Sequence, residues 1–174
     1  MNPVSQMHVA VIQYFSGEKR ESVLFIAAGV LAIIASVVLL WKGSPLRGMA
    51  YPLIAIALIQ LVVGWTVFAR TDGQTRSLHT HLQGDPGGYA AAELARMDKV
   101  QRSFQIYKVI EIVLMAAGVA GLFLLRDRQT LYAVSRGLAL QAGLMLAFDL
   151  AAERRADIYV NAIRTLGRAL EENR

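Results

Sequence analysis

Ionisable side chains set inside apolar stretches are where chemistry would first be sought, because holding a charge away from water is costly. Glu111 is one. It lies about five residues into an apolar run, or roughly 7–8 Å at 1.5 Å per residue. Asp149 sits at a similar depth near the end of another run, and Arg70, Lys108, Glu153 and Arg154 fall at about the same level. These six residues form a charged interfacial cluster with two uses. They can act as a ring of salt bridges and snorkelling side chains that anchors a bundle at a membrane surface. Alternatively, Glu111 and Asp149 can line a shallow vestibule that binds a ligand or handles an ion. Glu111 shares a helical stripe with Phe104 and Tyr107, which turns it toward protein. Arg70, Lys108 and Arg154 are its expected basic partners.

Farther from the charged level, Gln60 and Gln141 are the strongly polar side chains at the middle of apolar runs. As a midplane polar pair they are expected to hydrogen-bond to each other, typically at about 0.6 kcal/mol and up to 1–2. A midplane without charge is poor equipment for a proton relay. Arg136 lies near the opposite end, where Trp41, Tyr51 and Tyr132 are spaced like an aromatic belt, and it is expected to snorkel. His79 and His81, with Asp85 nearby, invite a metal reading. A His-x-His pair without an obvious third ligand reads instead as part of a solvated loop, and no metal site is expected. No phosphate loop, nucleophile triad or carboxylate pair set for acid-base work is present. Cysteine is absent, which removes disulfides and thiolate ligands.

The elements that must position these groups are long apolar runs. A bilayer core of roughly 30 Å needs about 20 apolar residues per helix, and four runs qualify: 22–41, 49–69, 106–125 and 131–150. Runs of this length suit helices rather than barrel strands. The first run starts after Lys19 and Arg20 and ends Leu39-Leu40-Trp41-Lys42, without a small-residue cleavage pattern, so it reads as retained. Ahead of it, Asn2-Pro3 suits a cap and first helical residue. Val4, Met7, Val11 and Phe15 then recur at helical spacing, as a short helix on the membrane surface or against the bundle, or as a frayed end. The stretch 71–88 reads as a long connection ending in Gly84-Asp85-Pro86-Gly87-Gly88. Beyond it, helical patterning resumes near Tyr89, well before the third run, and continues past the fourth.

The sequence thus predicts an all-α fold: an integral membrane four-helix bundle forming a single domain, residues 1–174. Helices three and four are expected to extend beyond the membrane as a helical stalk, about 89–105 and 151–170. Met97, Val100, Phe104 and Tyr107 on one face Tyr159, Ile163, Leu166 and Leu170 on the other. The short stretch 126–130 makes these two helices antiparallel.

Composition agrees: 55% hydrophobic residues and a mean hydropathy of +0.42 exceed soluble norms, and 18% charged residues fall below them. The net charge of +5 reads as basic loops beside anionic lipid head groups rather than nucleic-acid binding, since no base-reading motif is present. Most basic residues, from Lys19 and Arg20 through Arg70 to Arg174, fall on the side of the termini. Lys42, Arg47, Arg126 and Arg128 fall on the other. By total count this places the termini in the cytoplasm.

Several local patterns carry a likeness: Gly48-x-x-x-Pro52-Leu53, Gly64-x-Thr66-Val67-x-x-Arg70-Thr71, Arg96-Met97, Phe104-x-Ile106-Tyr107-x-x-Ile110-Glu111-Ile112 and Asp149-x-x-Ala152-Glu153-x-Arg155. Through them the chain resembles a family of small, uncharacterised bacterial inner-membrane proteins with no established activity. The resemblance implies a four-span bacterial inner-membrane protein.

Small residues recur four apart at Ala28, Ala32 and Ser36 and at Ala139, Gly143 and Ala147, with Gly118 and Gly121 on the third run. Such faces let helices approach closely, within one chain or in a homodimer or partner complex. The expected function is that of a non-enzymatic membrane protein acting through helix contacts, as an accessory subunit, regulator or immunity-type protein, without a cofactor. The alternative is a small transporter or channel with its vestibule around Glu111 and Asp149.

Overall fold

The computed structural model describes residues 2–172; Arg174, counted above on the basic side, lies outside the described residues. Four long helices make up nearly all of it: α1 (Pro3–Trp41), α2 (Ala50–Gly84), α3 (Pro86–Leu124) and α4 (Gln129–Glu172), with a single 3₁₀ turn at Arg47–Met49. Among the described residues there is no strand. Each helix contains a stretch long and apolar enough to cross a membrane. At 35 to 44 residues, each is also far longer than the roughly 20 that crossing requires. The bundle therefore has an apolar half and a polar half.

Local chemistry sets the helix ends. Asn2 caps α1, its side-chain oxygen accepting from the Val4 amide at 3.1 Å, and Pro3 follows at the first helical position. At the other end Gly43 turns the chain with a φ of +58°, a conformation that costs glycine little. Asp85 caps α3, its carboxylate accepting from the Gly88 amide at 2.9 Å, with Pro86 next.

Two expectations about the connections need correction. The stretch 71–88 is not a long loop: α2 runs on to Gly84, and Asp85 alone separates it from α3. The breaker cluster is real but only one residue wide. The helix persists because Leu82 is fully buried and Leu78 packs beside it. The Thr71, Thr75 and Thr80 hydroxyls also donate to carbonyls one turn back instead of opening the chain. Likewise, the stretch around Met7 and Val11 is neither a surface helix nor a frayed end. Of the expected placements, the one against the bundle holds, since Met7, Val11 and Phe15 are buried in its core. The stretch is, however, the first part of α1, continuous to Trp41, and not a separate short helix.

As a result, all four helices build the polar half rather than α3 and α4 alone. Its core gathers Met7, Val11 and Phe15 from α1, Leu82 from α2, Tyr89 and Met97 from α3, and Tyr159, Ile163 and Leu166 from α4, each at most 2% exposed. In the apolar half the contacts are tighter and the side chains smaller, with a cluster of Ala32, Leu53 and Ala57. A methyl group on Gly118 would come within 2.6 Å of the Ala139 backbone nitrogen, so α3 and α4 cross almost backbone to backbone. The hairpins α1–α2 and α3–α4 pack most extensively, whereas α2 and α3 touch far less.

Replacing Gly118 by Val should force α3 and α4 apart and destabilise the protein by about 1–3 kcal/mol. Gly167 has open space where a side chain would go, and Gly167→Ala should gain roughly 0.5–1 kcal/mol of helix propensity. Thermal unfolding in mild detergent, followed by far-ultraviolet circular dichroism, distinguishes the two directions.

Candidate functional site

The charged cluster exists, but its pairing differs from expectation. Lys108 on α3 donates to both oxygens of Glu153 on α4, at 2.7 and 2.5 Å. Arg70 on α2 reaches Glu18 on α1 at 3.4 Å. Arg154 is exposed and makes no ion pair among the described residues, while its neighbour Arg155 turns inward and pairs with Glu21 on α1. Glu111 obtains none of the three basic partners expected for it. It is 4% exposed, and its Oε2 has no hydrogen-bond partner. The physical reason is competition: Glu18 and Glu153 lie on facing helices at the right heights to take Arg70 and Lys108. Asp149 likewise has no hydrogen bond or ion pair among the described residues. The closed ring of salt bridges is therefore broken at its two deepest acids.

Where α2 and α3 stand apart, a cavity of about 500 Å³ opens into this layer. Glu18, Glu21, Phe25, Phe148, Asp149 and Arg155, from α1 and α4, form its floor. Val62, Val63, Val67 and Arg70 on α2 and Lys99, Phe104 and Tyr107 on α3 form its walls. Asp149 lines it; Glu111 does not. The volume falls within the range of small-molecule sites, roughly 300–1,000 Å³.

The midplane amides do meet. Gln141 Nε2 donates to Gln60 Oε1 at 2.6 Å, with both residues at 2% exposure or less. Gln60 Nε2 is left without a partner. Arg136 donates to the Tyr132 hydroxyl at 3.1 Å and lies over its ring, on the end where snorkelling was expected.

The histidines separate. His79 stacks on His8 of α1, with ring centres 4.7 Å apart and the two Nδ1 atoms 2.5 Å apart. His81 turns to the edge of Tyr89 on α3, and Asp85 is occupied as a cap. Among the described residues, no group of three or more His, Asp or Glu is placed to hold a metal. Lost water contact, and then the neighbouring His8, push His79 below its ordinary 6.5.

Sequence reasoning missed a buried polar network in the other half. Glu93, 2% exposed, accepts two bonds from Arg96, at 2.8 and 2.7 Å, and a third from the Tyr159 hydroxyl at 2.9 Å. The Tyr159 hydroxyl in turn lies 2.7 Å from that of Tyr89, and Tyr14 stacks on the Tyr159 ring. Burial works against the Arg96 charge, but the Glu93 hydrogen bonds and charge outweigh it and raise its pKa. Desolvation pushes Tyr14 and Tyr89 to about 12. Burial, followed by the charge of Glu93, raises Tyr159 as well. The detectable signal was the Glu93-x-x-Arg96 spacing, which puts both on one face of α3.

No protein-family model matches the chain, and comparison with curated proteins and solved structures yields no match either.

Glu18 provides a test of the site's electrostatics. Burial raises its carboxyl above the ordinary 4.5, against the lowering effect of Arg70. The folded state therefore binds more protons than the unfolded state as pH rises past 4.5, so stability falls through that window. Glu18→Gln should be more stable than the parent at neutral pH, and the gain should vanish below about pH 4.5. Denaturation midpoints across that range would check this; an equal difference at every pH would contradict it.

Proposed function

We propose that this chain is a multi-pass membrane protein of the bacterial inner membrane that works through helix contacts and not through catalysis. Four helices with apolar stretches of spanning length support the membrane placement. Their outward faces there are rich in large apolar side chains, such as Leu31, Ile34, Val62 and Val113, which suit lipid. The excess of Lys and Arg on the side of the termini supports a cytoplasmic polar half.

The observation that carries the contact reading is the polar half itself. Spanning needs about 20 residues per helix, yet α4 has 44, and the larger buried hydrophobic cluster lies beyond the apolar stretches. Such an extension holds a rigid surface at a fixed height above the bilayer. Ile158, 70% exposed, and Ile12, 54% exposed, present apolar side chains on it. Of the small-residue faces, Ala32, Ser36, Gly118 and Gly121 are buried inside the chain, while Ala147 on α4 is exposed. Contacts with an accessory, regulated or neutralised partner would then fall chiefly on the extension. Photocrosslinking groups placed at Ile158 and Ile12 in intact membranes should give one discrete adduct, absent from positions Leu31 and Val62. Adducts from the lipid-facing positions alone, or from none, would overturn this reading.

A small transporter is the second reading, favoured by the cavity beside Asp149. The fully buried Gln60–Gln141 bond weighs against it, since the cavity lining does not include either amide. The double change Gln60→Leu with Gln141→Leu should leave the fold intact and shift stability by about 1–2 kcal/mol. Loss of a solute flux in a variant that still assembles would favour transport instead.

A further inference from the structure

The cavity between α2 and α3 holds more information than its size. Its lining carries three acids and three bases, which alone would predict no ligand charge. Pairing resolves the balance. Glu18 is paired with Arg70 and Glu21 with Arg155, leaving Asp149 and Lys99 without an ion pair among the described residues. These two lie at different heights. Lys99 is on the polar side, about 12 Å along α3 from Tyr107 at 1.5 Å per residue. Asp149 sits at the apolar end, next to Phe148 in sequence, and shares the cavity lining with Phe25, Tyr107, Val62 and Val63. Phe25 and Phe148 meet edge to face, with centres 5.5 Å apart.

A carboxylate without a partner in an apolar, aromatic-lined space attracts a cation. Aromatic faces add to that attraction, by about 0.5–1 kcal/mol when exposed and 2 or more when desolvated. A small hydrated metal ion would lose its water here without gaining enough oxygen ligands to replace it. An anionic lipid would bring its phosphate toward Arg70 and Lys99, but its acyl chain would then lie against the Asp149 carboxylate. The remaining complementary occupant carries positive charge on an apolar or aromatic body. Such a compound concentrates in a bilayer and could enter sideways, since Val62, Val63 and Tyr107 on the two walls are exposed and α2 and α3 touch little.

We propose that this cavity is a binding site for a membrane-partitioned organic cation, with Asp149 as the counter-charge and Phe25, Phe148, Phe104 and Tyr107 as its aromatic walls. The site depends on the membrane placement but not on the helix-contact reading, because occupation needs no protein partner and no transport.

The test uses the full chain in lipid nanodiscs and tetraphenylphosphonium, a permanently charged cation whose charge does not vary with pH. Equilibrium dialysis should show saturable binding of one equivalent per chain. Asp149→Asn, which removes charge but little volume, should weaken it by about tenfold or more, as expected for loss of roughly 1.4 kcal/mol. Val63→Trp, which fills the cavity from a half-exposed position and keeps Asp149, should weaken it similarly. Tetraphenylborate, of the same shape and opposite charge, is dialysed in separate samples because the two ions precipitate together, and it should show no saturable binding. Absence of saturable tetraphenylphosphonium binding to the folded parent, equal affinity in Asp149→Asn, or saturable binding of tetraphenylborate would each overturn the proposal.

Discussion

The structure depends on keeping four helices unbroken and in register over lengths about twice what their apolar stretches require. Each helix is one rod, so fixing its apolar half also fixes the height of every side chain in its polar half. Helix continuity through Thr71–Gly84 and through Pro3–Arg20 is therefore decisive. Without it, Leu82 and Met7 could not enter a core with Tyr159 and Ile163. The one-residue turn at Asp85 locks α2 against α3 at the polar end, while the two hairpin links fix the other end.

The two halves are held by different physics. In the polar half, large side chains leave water for a common interior, and the hydrophobic effect acts directly. Under the membrane reading that driving force is missing between helices in lipid, so association relies on close backbone approach and on interhelical hydrogen bonds. The residue types follow: Tyr, Phe, Met, Leu and Ile at the polar end, and Gly118 on Ala139 and Gln60 on Gln141 at the other. The buried Glu93–Arg96–Tyr159–Tyr89 network is the exception in the polar half. Removing one partner of such a buried pair costs far more than the pair contributes, because the other charge is left buried and uncompensated.

The charged layer lies where these two regimes join, and there the bundle is least complete. α1 packs on α2 and α3 on α4, but α2 and α3 touch little, and the cavity is lined by residues of both. Ion pairs bridge α1 to α2, α1 to α4 and α3 to α4, and none bridges α2 to α3 among the described residues. An opening on that side, with an unpaired acid at its apolar end, follows from this pattern of pairing.

Much of this was legible in the residues themselves. Four apolar runs, the Asn2-Pro3 start, the turn at Gly84-Asp85-Pro86 and the midplane amides all report on local or single-helix properties, namely hydropathy, capping and depth. Depth alone could bring Gln60 and Gln141 together, since each stood at the middle of its run. The sequence also marked 71–88 as a loop because of the Gly84-Asp85-Pro86-Gly87-Gly88 breakers, whereas burial of Leu78 and Leu82 carries α2 on to Gly84. Partner choice within the charged layer was decided only by tertiary structure. Arg70, Lys108 and Arg154 were equally near Glu111 in height. Which acid each base met depended on the rotation of its helix and on what the facing helix offered, so Glu18 and Glu153 took the bases while Glu111 and Asp149 were left alone. Height along a rod is written in residue number, but the direction a side chain faces across the bundle is settled only when the helices pack.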